Sequence, residues 1–70
     1  STYHPVPSQY IKNLQYALKK AMVYFGEENG LYDEATIAAV KAFQRNANLK
    51  NVAGIVGEET KEALIPNEGP

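Results

Sequence analysis

Cysteine is absent from this chain of 70 residues, and histidine occurs once, as His4. Without cysteine there is no disulfide, no thiolate nucleophile and no cysteine-ligated zinc. A lone histidine has no second histidine with which to share a metal ion, and in a mobile tail it is not held in place as a general base. We therefore expect no metal site, no cofactor and no catalytic histidine.

The chain also lacks an excess of basic residues and a long apolar run. Seven Lys and Arg residues stand against eight Asp and Glu, which leaves a net charge of −1. Such a balance offers no basic surface to a phosphate backbone. No apolar run approaches the roughly 20 residues that span a bilayer. We therefore expect one small domain that neither binds nucleic acid nor inserts into a membrane.

Paired carboxylates are present, but their spacing does not suit catalysis. Glu27-Glu28 and Glu58-Glu59 are adjacent in the sequence, whereas a glycosidase needs two carboxyl groups that face each other across a cleft. Adjacent acidic residues more often form solvated surface or complement the positive end of a helix dipole. The fragment is therefore not expected to be an enzyme.

Apolar residues recur at intervals of three and four along the first third of the chain, which predicts an amphipathic helix. The helix is expected from about Gln9 to Val23, with Ser8 as its N-cap. Gly26 is expected to take the left-handed conformation just beyond its end. The expected inward residues are Ile11, Leu14, Ala17, Leu18, Ala21, Met22 and Phe25.

Two further helices complete an all-α fold, a compact three-helix bundle. Asp33 is a suitable N-cap for a second helix over 34–46, and a third is expected over 58–65, before Pro66. The inward residues of the second helix are expected to be Ala35, Ala39, Val40 and Phe43, with Ile37 beside them. Residues 8–65 would form the domain, flanked by proline-containing linkers at 1–7 and 66–70.

A short internal repeat is visible in two glycine-containing loops. Gly30 and Thr36 in the first loop and helix start match Gly54 and Thr60 in the second at the same offset. Leu31-Tyr32 could pair with Ile55-Val56 as a minimal two-residue β-bridge. The two threonines are interpreted as structural, tying each helix start to the preceding turn. Gln15 and Gln44 follow inward residues and are expected to hydrogen-bond the loop backbone.

These elements together resemble the type 1 peptidoglycan-binding domain, a three-helix module appended to bacterial and phage cell-wall hydrolases. The resemblance covers about residues 9–64 and rests on Leu14-Gln15, Asn29-Gly30, Phe43-Gln44, Gly54-Ile55-Val56-Gly57 and the two threonines, in the family's order and spacing. It implies an all-α fold and a non-catalytic module that binds peptidoglycan and tethers a linked catalytic domain. It also implies a monomer outside the cell or in the cell wall, within a parent that is itself a cell-wall hydrolase.

The chain departs from the family pattern at three places. The first loop usually reads Asp-Gly, two residues and Gly, and here it has Asn29 for the Asp and Asp33 for the last Gly. The second loop has Ala53 where the family has Asp. The usual Gly-Tyr after the first helix is Met22-Val23 here. These changes leave the fold intact in expectation, but they motivate an alternative function, a protein–protein interaction domain that keeps the fold without glycan binding.

Aromatic, amide and guanidinium side chains near the loops are the candidate ligand contacts. Aromatic faces and directional donors and acceptors suit glycan and stem-peptide ligands, and Arg45 could pair with a stem-peptide carboxylate. Packing roles remain open for the two tyrosines, and a loop-holding role for Gln44. The candidate set is Tyr24, Tyr32, Gln44, Arg45, Asn46 and Asn48.

Overall fold

The computed structural model describes residues 6–64. Three helices follow one another, α1 at Gln9–Lys20, α2 at Glu34–Asn46 and α3 at Glu58–Leu64. The described part of the chain contains no strand, so the predicted all-α three-helix fold is confirmed. His4, Ile65 and the expected linker 66–70 lie outside the described residues, as does most of the expected linker 1–7.

Helix α1 begins where the sequence predicts and ends three residues early. The Ser8 hydroxyl oxygen accepts a hydrogen bond of 3.3 Å from the Ile11 N–H, which caps the first turn. At the other end Met22 adopts a left-handed φ of 65°. The Val23 N–H donates to Leu18 O and the Met22 N–H to Lys19 O, the hydrogen-bond pair of a Schellman motif.

The predicted end at Val23 is therefore wrong, and so is the role given to Gly26, since Met22 holds the left-handed position. Gly26 instead lies close to a ring, because an added Cβ would come within 2.9 Å of the Tyr24 hydroxyl oxygen. The predicted inward positions of Ala21, Met22 and Phe25 are also wrong, with Phe25 82% exposed. The left-handed residue reverses the chain, so the helical period no longer applies beyond it.

Helix α2 has the predicted bounds, and Ala39, Val40 and Phe43 face the core as predicted, whereas Ala35 does not. Asp33 Oδ1 accepts from the Thr36 N–H at 3.0 Å, which confirms the predicted N-cap. Thr36 is fully buried together with Val40, whereas Ala35 is exposed. The prediction that Ala35 points inward is wrong, because the inward stripe runs through Thr36, one position further along the helix.

The core is small and draws on all three helices and the first loop. Its buried apolar residues are Leu14, Leu18, Tyr24, Ala39, Val40 and Leu64, with Ile11, Ala17, Val23, Phe43 and Val56 half-buried against them. Burying one such aliphatic side chain contributes about 1.5–3 kcal/mol before conformational entropy is counted. Within α3, Leu64 is the buried apolar residue, and the buried Thr60 adds a hydrogen bond with Gln44 on α2.

The expected β-bridge between the two loops is not formed, because none of residues 31, 32, 55 and 56 is in a bridge or strand. A side chain makes the connection instead. The Tyr32 hydroxyl donates a hydrogen bond to the Gly54 carbonyl oxygen. The two glycine-containing loops are therefore linked through one phenol.

Candidate functional site

The first glycine-containing loop is organised by a buried carboxamide. Gln15, on α1, has no exposed surface. Its Oε1 accepts from the Gly30 N–H at 2.9 Å, which fixes Nε2 as the donor side of the amide. Nε2 lies 3.0 Å from Leu31 O and 2.8 Å from Thr36 Oγ1. The predicted role of Gln15 in holding this loop is confirmed.

The second loop repeats the same arrangement around Gln44 on α2. Gln44 Oε1 accepts from the Gly54 N–H at 2.9 Å. Its Nε2 donates to Ile55 O and to Thr60 Oγ1, each at 2.9 Å. Gly30 and Gly54 have left-handed φ values of 77° and 87°, which glycine adopts without steric cost. The internal repeat read from the sequence is thus a repeated hydrogen-bond network.

The two loops differ at the residue before each glycine. Asn29 Oδ1 accepts from the Leu31 N–H at 3.0 Å and from Gln15 Nε2 at 2.9 Å, so this amide oxygen supplies an acceptor to the turn. Ala53 has no such acceptor. The Asn51 carboxamide oxygen receives the Ala53 N–H at 2.9 Å instead. Both departures from the family pattern are therefore accommodated within the loops.

Thr36 connects the first loop to the start of α2. The Thr36 hydroxyl donates a hydrogen bond of 2.8 Å to Asp33 Oδ1. The oxygen of that hydroxyl accepts from Gln15 Nε2. Hydrogen bonds from the Thr36 N–H and hydroxyl hold the pKa of the Asp33 carboxyl below its usual range. Asp33 is therefore a fixed anion at neutral pH, and the predicted structural role of Thr36 is confirmed.

Two adjoining depressions lie beside this network. The first, of ≈ 390 Å³, is lined by Val6, Ser8, Ile11, Gly30, Leu31, Tyr32 and Asp33. The second, of ≈ 250 Å³, is lined by Tyr10, Ile11, Leu14, Tyr32, Ile55 and Val56. They share Ile11 and Tyr32, so they form one surface feature, which we call the Tyr10–Tyr32 groove. Burial of the Tyr32 side chain raises its pKa, so its hydroxyl remains neutral.

Two of the six candidate ligand residues are buried. Tyr24 is 4% exposed, and its hydroxyl donates to Glu27 O at 2.6 Å. Gln44 has no exposed surface, and its carboxamide is hydrogen-bonded to the second loop. The packing alternative for Tyr24 and the loop-holding alternative for Gln44 describe these positions. Direct contact of either side chain with a ligand stays a prediction, and it would require the loops to open.

The other four candidates are half-exposed or exposed. Tyr32 alone of the six lines the groove, with 38% of its surface exposed. Arg45 and Asn46 are exposed in the last turn of α2, and Asn48 follows it. Asn48 has a left-handed φ of 58° and closes a second Schellman motif, with the Leu49 N–H donating to Gln44 O. Ligand contact by these residues also stays a prediction.

Sequence reasoning missed Tyr10 and Ile55 as groove residues. Tyr10 immediately precedes the inward Ile11, so it lies at the edge of the apolar stripe of α1. An exposed aromatic at such an edge is a usable signal. Ile55 was predicted to form a β-bridge, and it instead lines the second depression with 63% of its surface exposed.

Residues 6–64 offer no metal-binding cluster, since no group of three or more His, Cys, Asp or Glu side chains is close enough together. Within the same range, every helix is too short or too polar to cross a bilayer. The exposed acidic pairs have local partners. Glu28 lies 3.3 Å from the Lys19 ammonium, and the Glu59 carboxylate accepts from the Lys50 N–H.

Comparison with known proteins assigns the family. The family model of the peptidoglycan binding domain matches residues 7–64. The chain is 40% identical over 55 residues to a spore cortex-lytic enzyme of Bacillus subtilis (strain 168), an alignment that covers 79% of this chain and 18% of that protein. The chain thus spans about a fifth of the length of this relative. No solved structure matches it. The chain belongs to the peptidoglycan binding domain family.

Proposed function

We propose that this domain binds peptidoglycan through the Tyr10–Tyr32 groove and makes no chemical change in it. Family membership over residues 7–64 is the observation that carries the proposal. The groove adds a place for the ligand, because it joins an almost wholly apolar depression to a more polar one, with Tyr32 lining both. A mixed apolar and polar concave surface is the usual form of a small-ligand site.

The proposal includes that the domain does not catalyse hydrolysis of peptidoglycan. Glu27 and Glu28 are consecutive and exposed, as are Glu58 and Glu59. Glu28 pairs with Lys19, and Glu59 accepts from the Lys50 backbone. No carboxylate of these pairs lines the groove. Among residues 6–64, a single carboxylate, Asp33, lines it, whereas hydrolysis of a glycosidic bond needs two.

The biological effect would be local concentration. A weak wall-binding module raises the effective concentration of a linked domain at its polymer without any new contact. The spore cortex-lytic relative is far longer than the aligned segment, which leaves room for a further domain in such a protein. We propose that the parent of this domain is likewise a bacterial or phage cell-wall hydrolase. The domain would act as a monomer, outside the cell or in the wall.

A second candidate function has one observation in its favour. Phe25 and Met22 lie between α1 and α2 with 82% and 74% of their surfaces exposed. Large exposed apolar side chains so close in the sequence suit contact with another protein. A protein–protein interaction domain that retains the fold is therefore the alternative.

Co-sedimentation with purified insoluble peptidoglycan tests the proposal. The domain should pellet saturably, and Tyr32→Ala should weaken pelleting. Tyr16→Ala is the matched control, because Tyr16 is exposed on α1, beneath the Lys20 ammonium at 5.4 Å, and lines neither depression. Arg45→Ala tests the end of α2 in the same assay. Each variant needs a folded circular-dichroism spectrum.

A folded domain that stays in the supernatant with every wall type would rule the proposal out. Retained pelleting of Tyr32→Ala with loss in Arg45→Ala would move the site from the groove to the end of α2. Loss of binding to a protein partner in Phe25→Ala, without any pelleting of the parent, would establish the alternative.

A further inference from the structure

We infer that the Tyr10–Tyr32 groove takes the N-acetylated glycan strand of peptidoglycan and does not take its stem peptide. The inference rests on the proposed function and narrows it to one part of the polymer. Peptidoglycan offers two chemically distinct parts, a chain of N-acetylated hexosamines that is largely uncharged and short peptides whose carboxylates outnumber their ammonium groups. The lining of the groove distinguishes between them by shape and by charge.

Aromatic and aliphatic side chains line the second of the two depressions. Tyr10 is 46% exposed and Tyr32 is 38% exposed, so both rings present area to solvent. Ile55 and Val56 line the same depression. A pyranose ring has a face made of C–H groups, and an N-acetyl group ends in a methyl. Both can replace water against this surface, where aromatic side chains provide large contact area.

Charge argues against the stem peptide. Among the described residues that line the two depressions, Asp33 alone carries a charge at neutral pH, and the lining contains no Lys or Arg. A peptide carboxylate placed there would meet a like charge and find no cationic partner, which is unfavourable. A sugar hydroxyl is a donor, and a carboxylate accepts it with a charge-assisted hydrogen bond.

Asp33 is held in position before any ligand arrives. Its Oδ1 receives both the Thr36 N–H at 3.0 Å and the Thr36 hydroxyl at 2.8 Å. Thr36 is itself fully buried and bonded to Gln15. The carboxylate therefore cannot rotate without losing these bonds, and a carboxylate has lone-pair sites enough to accept a hydroxyl donor as well. A fixed acceptor costs less ordering entropy on binding than a mobile one.

The experiment is a pair of titrations of the ¹⁵N-labelled domain, followed by amide chemical shifts. One ligand is the β-1,4-linked hexamer of N-acetylglucosamine, which is neutral. The other is a free stem tetrapeptide, L-Ala-D-Glu-diaminopimelate-D-Ala. We expect the hexamer to shift the amides of Tyr10, Tyr32, Asp33 and Ile55 saturably, and the tetrapeptide to leave them in place.

Two variants test whether the hexamer binds in the groove. Asp33→Asn keeps an N-cap side chain of equal quality and removes the charge, so it should fold and bind the hexamer about tenfold more weakly. Tyr10→Ala should also weaken binding, whereas Tyr16→Ala should not.

Pelleting with insoluble peptidoglycan separates failure of the inference from failure of the proposed function. Groove shifts with the tetrapeptide, or pelleting without any response to the hexamer, would overturn the glycan assignment and leave wall binding standing. No pelleting and no response to either ligand would overturn both. Hexamer binding that is unaffected by Asp33→Asn and Tyr10→Ala would also overturn the inference, since the sugar would then lie elsewhere.

Discussion

The carboxamides of Gln15 and Gln44 make the same set of hydrogen bonds, Gln15 to the first glycine-containing loop and Gln44 to the second. Each Oε1 accepts from the N–H of a left-handed glycine at 2.9 Å, and each Nε2 lies within 3.0 Å of a loop carbonyl and a helix-start threonine. All buried side-chain nitrogen and oxygen atoms among the described residues have hydrogen-bond partners. In so small a core, these two networks decide where the loops and the following helices lie.

The two threonines should differ in their contribution to stability. The Thr36 hydroxyl bonds to Gln15, Asp33 and Leu31, whereas the Thr60 hydroxyl has Gln44 as its one partner among the described residues. Each buried partner left unsatisfied costs free energy of unfolding. We expect Thr36→Val to cost about 2 kcal/mol and Thr60→Val about 1 kcal/mol. Urea unfolding followed by circular dichroism measures the two changes in the free energy of unfolding. Equal changes in the two variants would contradict the difference in hydrogen bonding between the threonines.

Replacing Met22 by glycine should stabilise the domain. Met22 is exposed and has a φ of 65°, in the left-handed region that costs a side chain roughly 1–2 kcal/mol. Because glycine also raises the entropy of the unfolded chain, we expect a net gain of about 0.5–1 kcal/mol. The same urea titration detects it.

Asn48→Gly is the matched control for this change. Asn48 occupies the equivalent position after α2, with a φ of 58°. Asparagine tolerates this conformation better than methionine does, so its replacement should gain a few tenths of a kcal/mol at most. A loss of stability in Met22→Gly, or equal gains at the two sites, would contradict the argument.

Because of Asp33, the free energy of unfolding of the domain should fall when the pH is made acidic. Hydrogen bonds from Thr36 lower its pKa from the ordinary 3.8, so the carboxylate contributes its full stabilisation above that value. The contribution is lost as pH falls through 3.8 toward the lower pKa of the folded state. Asp33→Ala should therefore cost about 1 kcal/mol at neutral pH and lose less stability than the parent on acidification.

Asp33→Asn separates the cap from the charge. Asparagine caps a helix about as well as aspartate, so this variant should retain most of the stability at neutral pH. Its unfolding free energy should vary less with pH than that of the parent between about pH 5 and pH 3. Parallel pH profiles for the parent and Asp33→Asn would show that another group carries the acid sensitivity.

Substitution by alanine should lower the stability of the domain much more at Gly30 than at Gly57. A Cβ at Gly30 would lie 3.0 Å from the backbone N and O of Ser8, at a φ of +77°. Both the clash and the backbone strain oppose it, so Gly30→Ala should cost at least about 2 kcal/mol.

At Gly57 an added Cβ meets nothing within 4 Å. Gly57 is also the N-cap of α3, since its carbonyl accepts from the Lys61 N–H, and glycine is favoured over alanine there. Gly57→Ala should therefore cost about 0.5 kcal/mol, far less than Gly30→Ala. Thermal melts of the two variants give the comparison directly. A tolerated alanine at position 30 would mean that the Ser8 N–H to Gly30 O contact of 2.9 Å is not held in solution.

The elements of this fold could be predicted because their signals are local. Ser8 and Asp33 cap the helices that follow them, since a short polar side chain satisfies the N–H groups of the next turn whatever lies beyond. The helical period located Leu14 and Leu18 in the core. It failed at Phe25, because a left-handed residue at Met22 ended the helix, and methionine gives no local sign of that conformation.

The sequence by itself determined the three helices, the N-caps of the first two and the repeat of glutamine, glycine and threonine. Each of these depends on residues a turn or less apart or on a pattern that occurs twice. Only the tertiary structure decided that Gln15 reaches Gly30, that Tyr32 reaches Gly54, and that Tyr10 and Ile55 meet beside Tyr32. Those pairs are distant in the chain, and helix packing, which no local preference encodes, brings them together.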